Sequence, residues 1–123
     1  MGGAIVGTVL PRPGSGASLL ADTPGADPRI QGPFLILSTP FTESGEVDFD
    51  VLAKEARFVN WCECPGMIWP QSGDSVDLLT TEEKLRGMEV LANEAKRFDS
   101  ALCLGVHGKD SSEMPAFARH AGE

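Results

Sequence analysis

After Gly32 the apolar positions of the chain switch period in regular alternation. Phe34-Leu35-Ile36-Leu37-Ser38 is a short apolar run, the pattern of a strand buried in a parallel sheet. Pro40 ends it, and Thr42-Glu43-Ser44-Gly45 is a turn cluster. A helix follows: Asp48 suits the N-cap, and Val47 with Leu52 can staple around it. Phe49, Leu52, Ala53, Ala56 and Val59 then mark one buried helical face, ending near Cys64-Pro65-Gly66. Gly66–Trp69 reads as a second strand and 70–79 as a polar loop. Thr80 and Glu83 form a capping box that opens a second helix running to about Phe98. Leu85, Met88, Leu91, Ala92 and Ala95 are its inward positions. Ala101–Val106 is a third strand, His107 to Asp110 a loop, and a third helix starts at Ser111 or Ser112, with Pro115 tolerated in its first turn.

The order β-α-β-α-β-α implies a parallel sheet with helical crossovers, without separating a barrel from an open doubly wound sheet. No G-x-G-x-x-G opens any helix, and Gly14-Ser15-Gly16 leads into no strand-helix turn. Residues 1–31 carry Pro11, Pro13, Pro24 and Pro28 without clear periodicity and read as a flexible extension. Within them Ala4 to Leu10 is weakly apolar, and Ala17-Ser18-Leu19-Leu20-Ala21 looks like the neighbourhood of a signal cleavage site. The basic stretch that should precede such a site is missing, so a cytoplasmic location is expected.

The 123 residues, 41% hydrophobic and 23% charged, suit one modest domain. A net charge of −8 argues against a nucleic-acid partner, since a phosphate backbone repels such a surface. No apolar run approaches the ~20 residues of a membrane span. Cys62, Cys64 and Cys103 are too few and too unevenly spaced for a disulfide framework. With His107 they could hold a metal ion, but only one close pair exists, and packing residues at a helix end and in a strand are the expectation.

Five motifs in order carry a family resemblance. Thr39-Pro40-Phe41 with Gly45-Glu46-Val47-Asp48, then Ser72-Gly73-Asp74, Leu79-Thr80-Thr81-Glu82-Glu83-Lys84, Leu104-Gly105-Val106 and Ala118-Arg119-His120-Ala121-Gly122 resemble the N-terminal part of the dihydrodipicolinate synthase / N-acetylneuraminate lyase family. The resemblance covers residues 32–123. It implies the first three β/α units of a (β/α)₈ TIM barrel, a truncated one here, in proteins that commonly assemble as homo-oligomers. It also implies a lyase or aldolase that binds pyruvate or another small 2-oxo acid as a Schiff base on a lysine, with no metal or cofactor. Active sites of such barrels sit on the βα loops at the C-terminal ends of the strands. Ser38, Thr39, Gln71, Ser72, His107 and Lys109 belong at that end.

The family binds the substrate carboxylate with two adjacent threonines after the second strand. Gln71, Ser72 and Gly73 stand here, and with Thr39 they are the implied substrate-binding residues. If Ser72-Gly73-Asp74 overlays the family's Thr-Gly-Glu, Ser72 matches the second threonine and Gln71 the first. If the register is gapless from Leu79 backwards, Ser72 matches the first and Gly73 the second. Either register loses a threonine of the family's proton relay. The family's lysine and tyrosine belong to the sixth and fifth strands, so no catalytic residue is assigned here, and the isolated chain is expected to be inactive. Lys54, Lys84 and Lys96 read as solvated helix positions, Lys109 as a loop residue, His107 as a loop anchor, and Trp61 and Trp69 as core or interface residues. Two other expectations compete: a non-catalytic half-barrel module that pairs with itself or a partner through open strand edges, and a small open α/β binding domain.

Overall fold

Two of the three α-helices among the described residues start on the residues that chemistry favours. In the computed structural model, which describes residues 30–123, the Asp48 carboxylate accepts the Val51 N–H at 3.0 Å and opens helix α1 (Phe49–Trp61). Thr80 opens α2 (Thr81–Ala95) through a reciprocal pair. Its hydroxyl accepts the Glu83 N–H at 3.2 Å, and the Glu83 carboxylate accepts the Thr80 N–H at 2.8 Å. That donation from Thr80 holds the Glu83 carboxyl below its usual range.

Helix ends were harder to read. α1 stops at Trp61, before the expected proline and glycine, because Glu63 takes the left-handed conformation (φ 56°) and the Cys62 and Glu63 N–H groups turn back to Phe58 and Asn60. α2 ends at Ala95 rather than near Phe98. α3 (Met114–Ala121) begins later than Ser111 or Ser112. Asp110 is engaged with the Ser112 N–H (2.7 Å) and hydroxyl (2.5 Å), and Glu113 with the Lys109 N–H (2.9 Å), so these side chains tie up the loop before the helix.

The strands β1 (Phe34–Ile36), β2 (Gly66–Trp69) and β3 (Ala101–Leu104) form one parallel sheet in the order β1-β2-β3. β1 and β3 are shorter than their apolar runs, although Leu37 and Gly105 still donate to β2 carbonyls, those of Ile68 and Trp69. In register, Phe34, Gly66 and Ala101 share one face with Ile36, Ile68 and Cys103; Leu35, Met67 and Leu102 share the other, with Trp69 and Leu104.

The second face is the covered one. Leu37, Met67 and Trp69 are fully buried there against Leu52, Ala56 and Val59 of α1, Met88 and Leu91 of α2 and Phe117 of α3. The indole of Trp69 reaches α2 at Gly87, where any Cβ would overlap its ring. The first face carries no helix among the described residues, and Ile36 remains 45% exposed on it.

Several expectations need correction. Lys84 is buried, not solvated, because α2 turns Lys84, Gly87, Met88 and Leu91 inward, while Ala92, expected inside, is exposed. Cys62 and Cys103 are exposed rather than packed. The 70–79 loop contains a 3₁₀ turn (Val76–Leu78) that buries Val76. The extension expected over residues 1–31, with Gly14-Ser15-Gly16 and Ala17–Ala21, lies outside the described residues except for Ile30 and Gln31. Among the described residues no helix is long and apolar enough to cross a membrane.

Candidate functional site

The chain leaves β1 through Ser38 and Thr39, and a hydrogen-bonded cluster forms where it does. Thr39 is buried. Its hydroxyl accepts the Trp69 indole N–H at 2.9 Å and donates to the Asp74 carboxylate, which also accepts the Thr39 N–H at 3.0 Å. On the other side, the Ser38 N–H donates to the Glu55 carboxylate of α1 at 2.9 Å. Two carboxylates thus grip consecutive backbone N–H groups of one segment. Burial pushes the Glu55 carboxyl up; the Ser38 N–H pulls it back, and the charge of Asp74 adds to the upward push.

The loop beyond β2 lies alongside. The Gln71 side-chain oxygen accepts the Gly73 N–H, and the Gln71 carbonyl accepts the Asp74 N–H at 3.0 Å, which makes a tight turn. Gln71 is half-buried, while Ser72 and Gly73 are exposed. Gly73 stands over the uncovered face of the sheet: a Cβ there would come within 3.2 Å of Ile36 Cδ1. Thr39, Asp74 and the Gln71–Gly73 loop therefore belong to one neighbourhood at the C-terminal ends of β1 and β2.

The third strand contributes less. His107 is half-buried, and its carbonyl accepts Lys84 Nζ at 3.2 Å. That ammonium also lies 5.8 Å from the centre of the Phe117 ring, so Lys84 ties α2 to the β3 loop and to α3. Lys109 is exposed, with its backbone N–H on Glu113. Among the described residues no three His, Cys, Asp or Glu side chains come together as a metal site. A groove of about 340 Å³ between α2 and α3, lined by Leu85, Phe117 and His120 among others, lies in the helix layer away from the strand-end cluster.

Glu55, Asp74 and Lys84 are the polar groups whose placement sequence reasoning missed. The signal was present for two of them. Glu55 stands three residues after Leu52 and four before Val59, and Lys84 four before Met88, so both are charged residues at apolar helix spacing.

Chemically, this strand-end cluster offers the Ser72 hydroxyl and the Gln71 amide nitrogen as donors beside two carboxylates. The Thr39 hydroxyl is engaged on both sides and has no proton left to give a ligand. No family model and no curated protein matches the chain.

Proposed function

We propose that residues 32–123 are the first three β/α units of a (β/α)₈ barrel resembling the dihydrodipicolinate synthase / N-acetylneuraminate lyase family. In this reading the polypeptide is a class I lyase or aldolase that makes or breaks a carbon–carbon bond on a 2-oxo acid such as pyruvate. The observation that carries it is the Thr39–Asp74 contact. It joins two segments that independently resemble the family, 35 residues apart, at the strand ends where a barrel keeps its chemistry. The sheet supports it as well: three sequential parallel strands with the helices of the described residues on one face are compatible with the start of a singly wound barrel, whose interior would in this reading fill against Ile36, Ile68 and Cys103.

Ser72 and Gln71 are then the donors for the substrate carboxylate, with Gly73 leaving the backbone open to it. Thr39 holds the loop through Asp74 rather than touching substrate. The resemblance puts the nucleophilic lysine elsewhere in the polypeptide, and the lysines described here fit that: Lys54, Lys96 and Lys109 are exposed, and Lys84 Nζ is already bonded to the His107 carbonyl. The isolated 123 residues are inactive.

The second reading, a non-catalytic module completed by another chain, draws on the same uncovered face, since a parallel sheet is ordinarily covered on both sides. Reductive trapping separates the two. The native polypeptide is incubated with pyruvate and borohydride, digested and mass-mapped. A lysine adduct outside this chain is the expected result. A polypeptide of full-barrel length that traps no 2-oxo acid would sink the lyase reading.

A further inference from the structure

His107 lies three residues beyond β3, and its backbone is held by an unusual partner. Lys84 Nζ donates to the His107 carbonyl at 3.2 Å, yet Lys84 is only 6% exposed and has no carboxylate partner among the described residues. A buried cation without an opposite charge costs stability, so packing alone would favour an apolar residue at this position of α2. What Lys84 secures is the place of His107. The imidazole itself is uncommitted: among the described residues it has no hydrogen-bond partner, and the residue is half-buried.

Gly105 shows where that ring stands. It continues the alternation of Ala101 and Cys103 onto the uncovered face, and its N–H still donates to the Trp69 carbonyl at 3.0 Å. A Cβ at Gly105 would overlap the Pro70 carbonyl and come within 3.2 Å of His107 Nδ1. The His107 ring and the start of the β2 loop therefore meet over the side chain that Gly105 lacks, next to Gln71 and Ser72. The carboxylates on the surrounding elements are already engaged with backbone N–H groups: Glu113 with Lys109, Asp110 with Ser112, Asp74 with Thr39 and Glu55 with Ser38. The cations there are Lys84 and the exposed Lys109.

We propose that His107 is a catalytic acid–base residue of the strand-end cluster, and that Lys84 is the residue that positions it. The proposal rests on the lyase reading. Imidazole is the side chain suited to give and to take a proton near neutral pH. A lysine amine from elsewhere in the polypeptide adds to the keto carbon of the 2-oxo acid and leaves a hydroxyl there. The imidazolium of His107 touches that hydroxyl and gives it a proton. The C–O bond breaks with its electron pair going to the departing water, and the nitrogen lone pair closes the C=N bond. The neutral imidazole then takes a proton from the neighbouring carbon. The C–H pair becomes a C=C bond, the C=N pair returns to nitrogen, and the ring is again an imidazolium.

The test is the rate at which cyanoborohydride traps pyruvate on the native full-length polypeptide, measured between about pH 5 and 8, for the wild type, His107→Gln and Lys84→Met. The expected result is that His107→Gln slows trapping at least about a hundredfold and removes a limb of the wild-type pH profile. Lys84→Met lowers the saturated rate by about tenfold at unchanged half-saturating pyruvate, because Lys84 holds His107 without touching substrate. Thermal melts establish that each variant is folded; if Lys84→Met is not, Lys84→Arg, which keeps a donor, takes its place. Wild-type trapping with His107→Gln unchanged in rate and profile overturns the proposal and leaves the lyase reading standing. A Lys84 variant that matches the wild type, or that raises half-saturating pyruvate as it slows the rate, overturns the positioning role. A wild type that traps nothing removes the lyase reading and this inference with it.

Discussion

The two faces of the sheet are built from similar residues and have opposite fates. On one, Leu37, Met67 and Trp69 are fully buried under three helices. On the other, Ile36 and Cys103 are open, and the Phe34 ring lies across Gly66 with no helix above it among the described residues. Leu35 sharpens the contrast: it points to the helix side, yet is 47% exposed, because β1 is an edge strand and no described element flanks α1 beyond it. Apolar composition alone does not say which positions are covered; that depends on which elements are present to cover them.

The contrast is broken most directly by truncating one residue on each face. Trp69→Ala should destabilise the chain by about 3–5 kcal/mol, since it empties a packed site and leaves the Thr39 cluster without its donor. Ile36→Ala should change it by less than about 1 kcal/mol in the isolated chain, but by about 2–4 kcal/mol in a polypeptide that covers this face. Urea unfolding followed by circular dichroism reads both. Equal losses in the isolated chain would mean the open face is already packed.

Within the covered side, Thr39→Val should cost about 1–3 kcal/mol, because it strands the Trp69 N–H and removes one of Asp74's donors. A neutral result would mean that water replaces the hydroxyl and that the cluster does not hold the loop. Gly87→Ala should cost about 1–3 kcal/mol by forcing the Trp69 ring aside. Gain of stability there, as expected for an ordinary exposed helix glycine, would contradict the packing of Trp69 against α2.

The smallest effect is a pH slope. Burial raises the Glu55 carboxyl above its ordinary 4.5, so the folded chain holds that proton more tightly than the unfolded one. Its contribution to stability is therefore complete below pH 4.5 and is lost as pH rises through the raised value. Glu55→Gln should flatten this part of the stability–pH curve measured by thermal melts. An unchanged slope in the variant would assign it to another group.

Local signals were legible. Asp48, Thr80 and Glu83 fixed two helix starts, because a capping side chain acts on backbone three residues away. The β-α alternation and the parallel sheet followed from periodicity. The late start of α3 was not legible, because Asp110 and Glu113 had backbone groups within the loop to bind instead. The strand-end cluster was readable only in part. Gln71, Ser72 and Gly73 could be named as a loop, but the Thr39–Asp74 and Ser38–Glu55 bonds join residues 35 and 17 apart in sequence, and no periodicity encodes them. Lys84 was misjudged because residue type outweighed its helical position.

The central claim is that the uncovered face is completed by further β/α units of the same polypeptide, and intact mass spectrometry of the native protein tests it most directly. The account predicts a mass of roughly twice this chain or more, as a full barrel requires. A native mass of 13.0 kDa would contradict it and leave the open face to be covered by another chain.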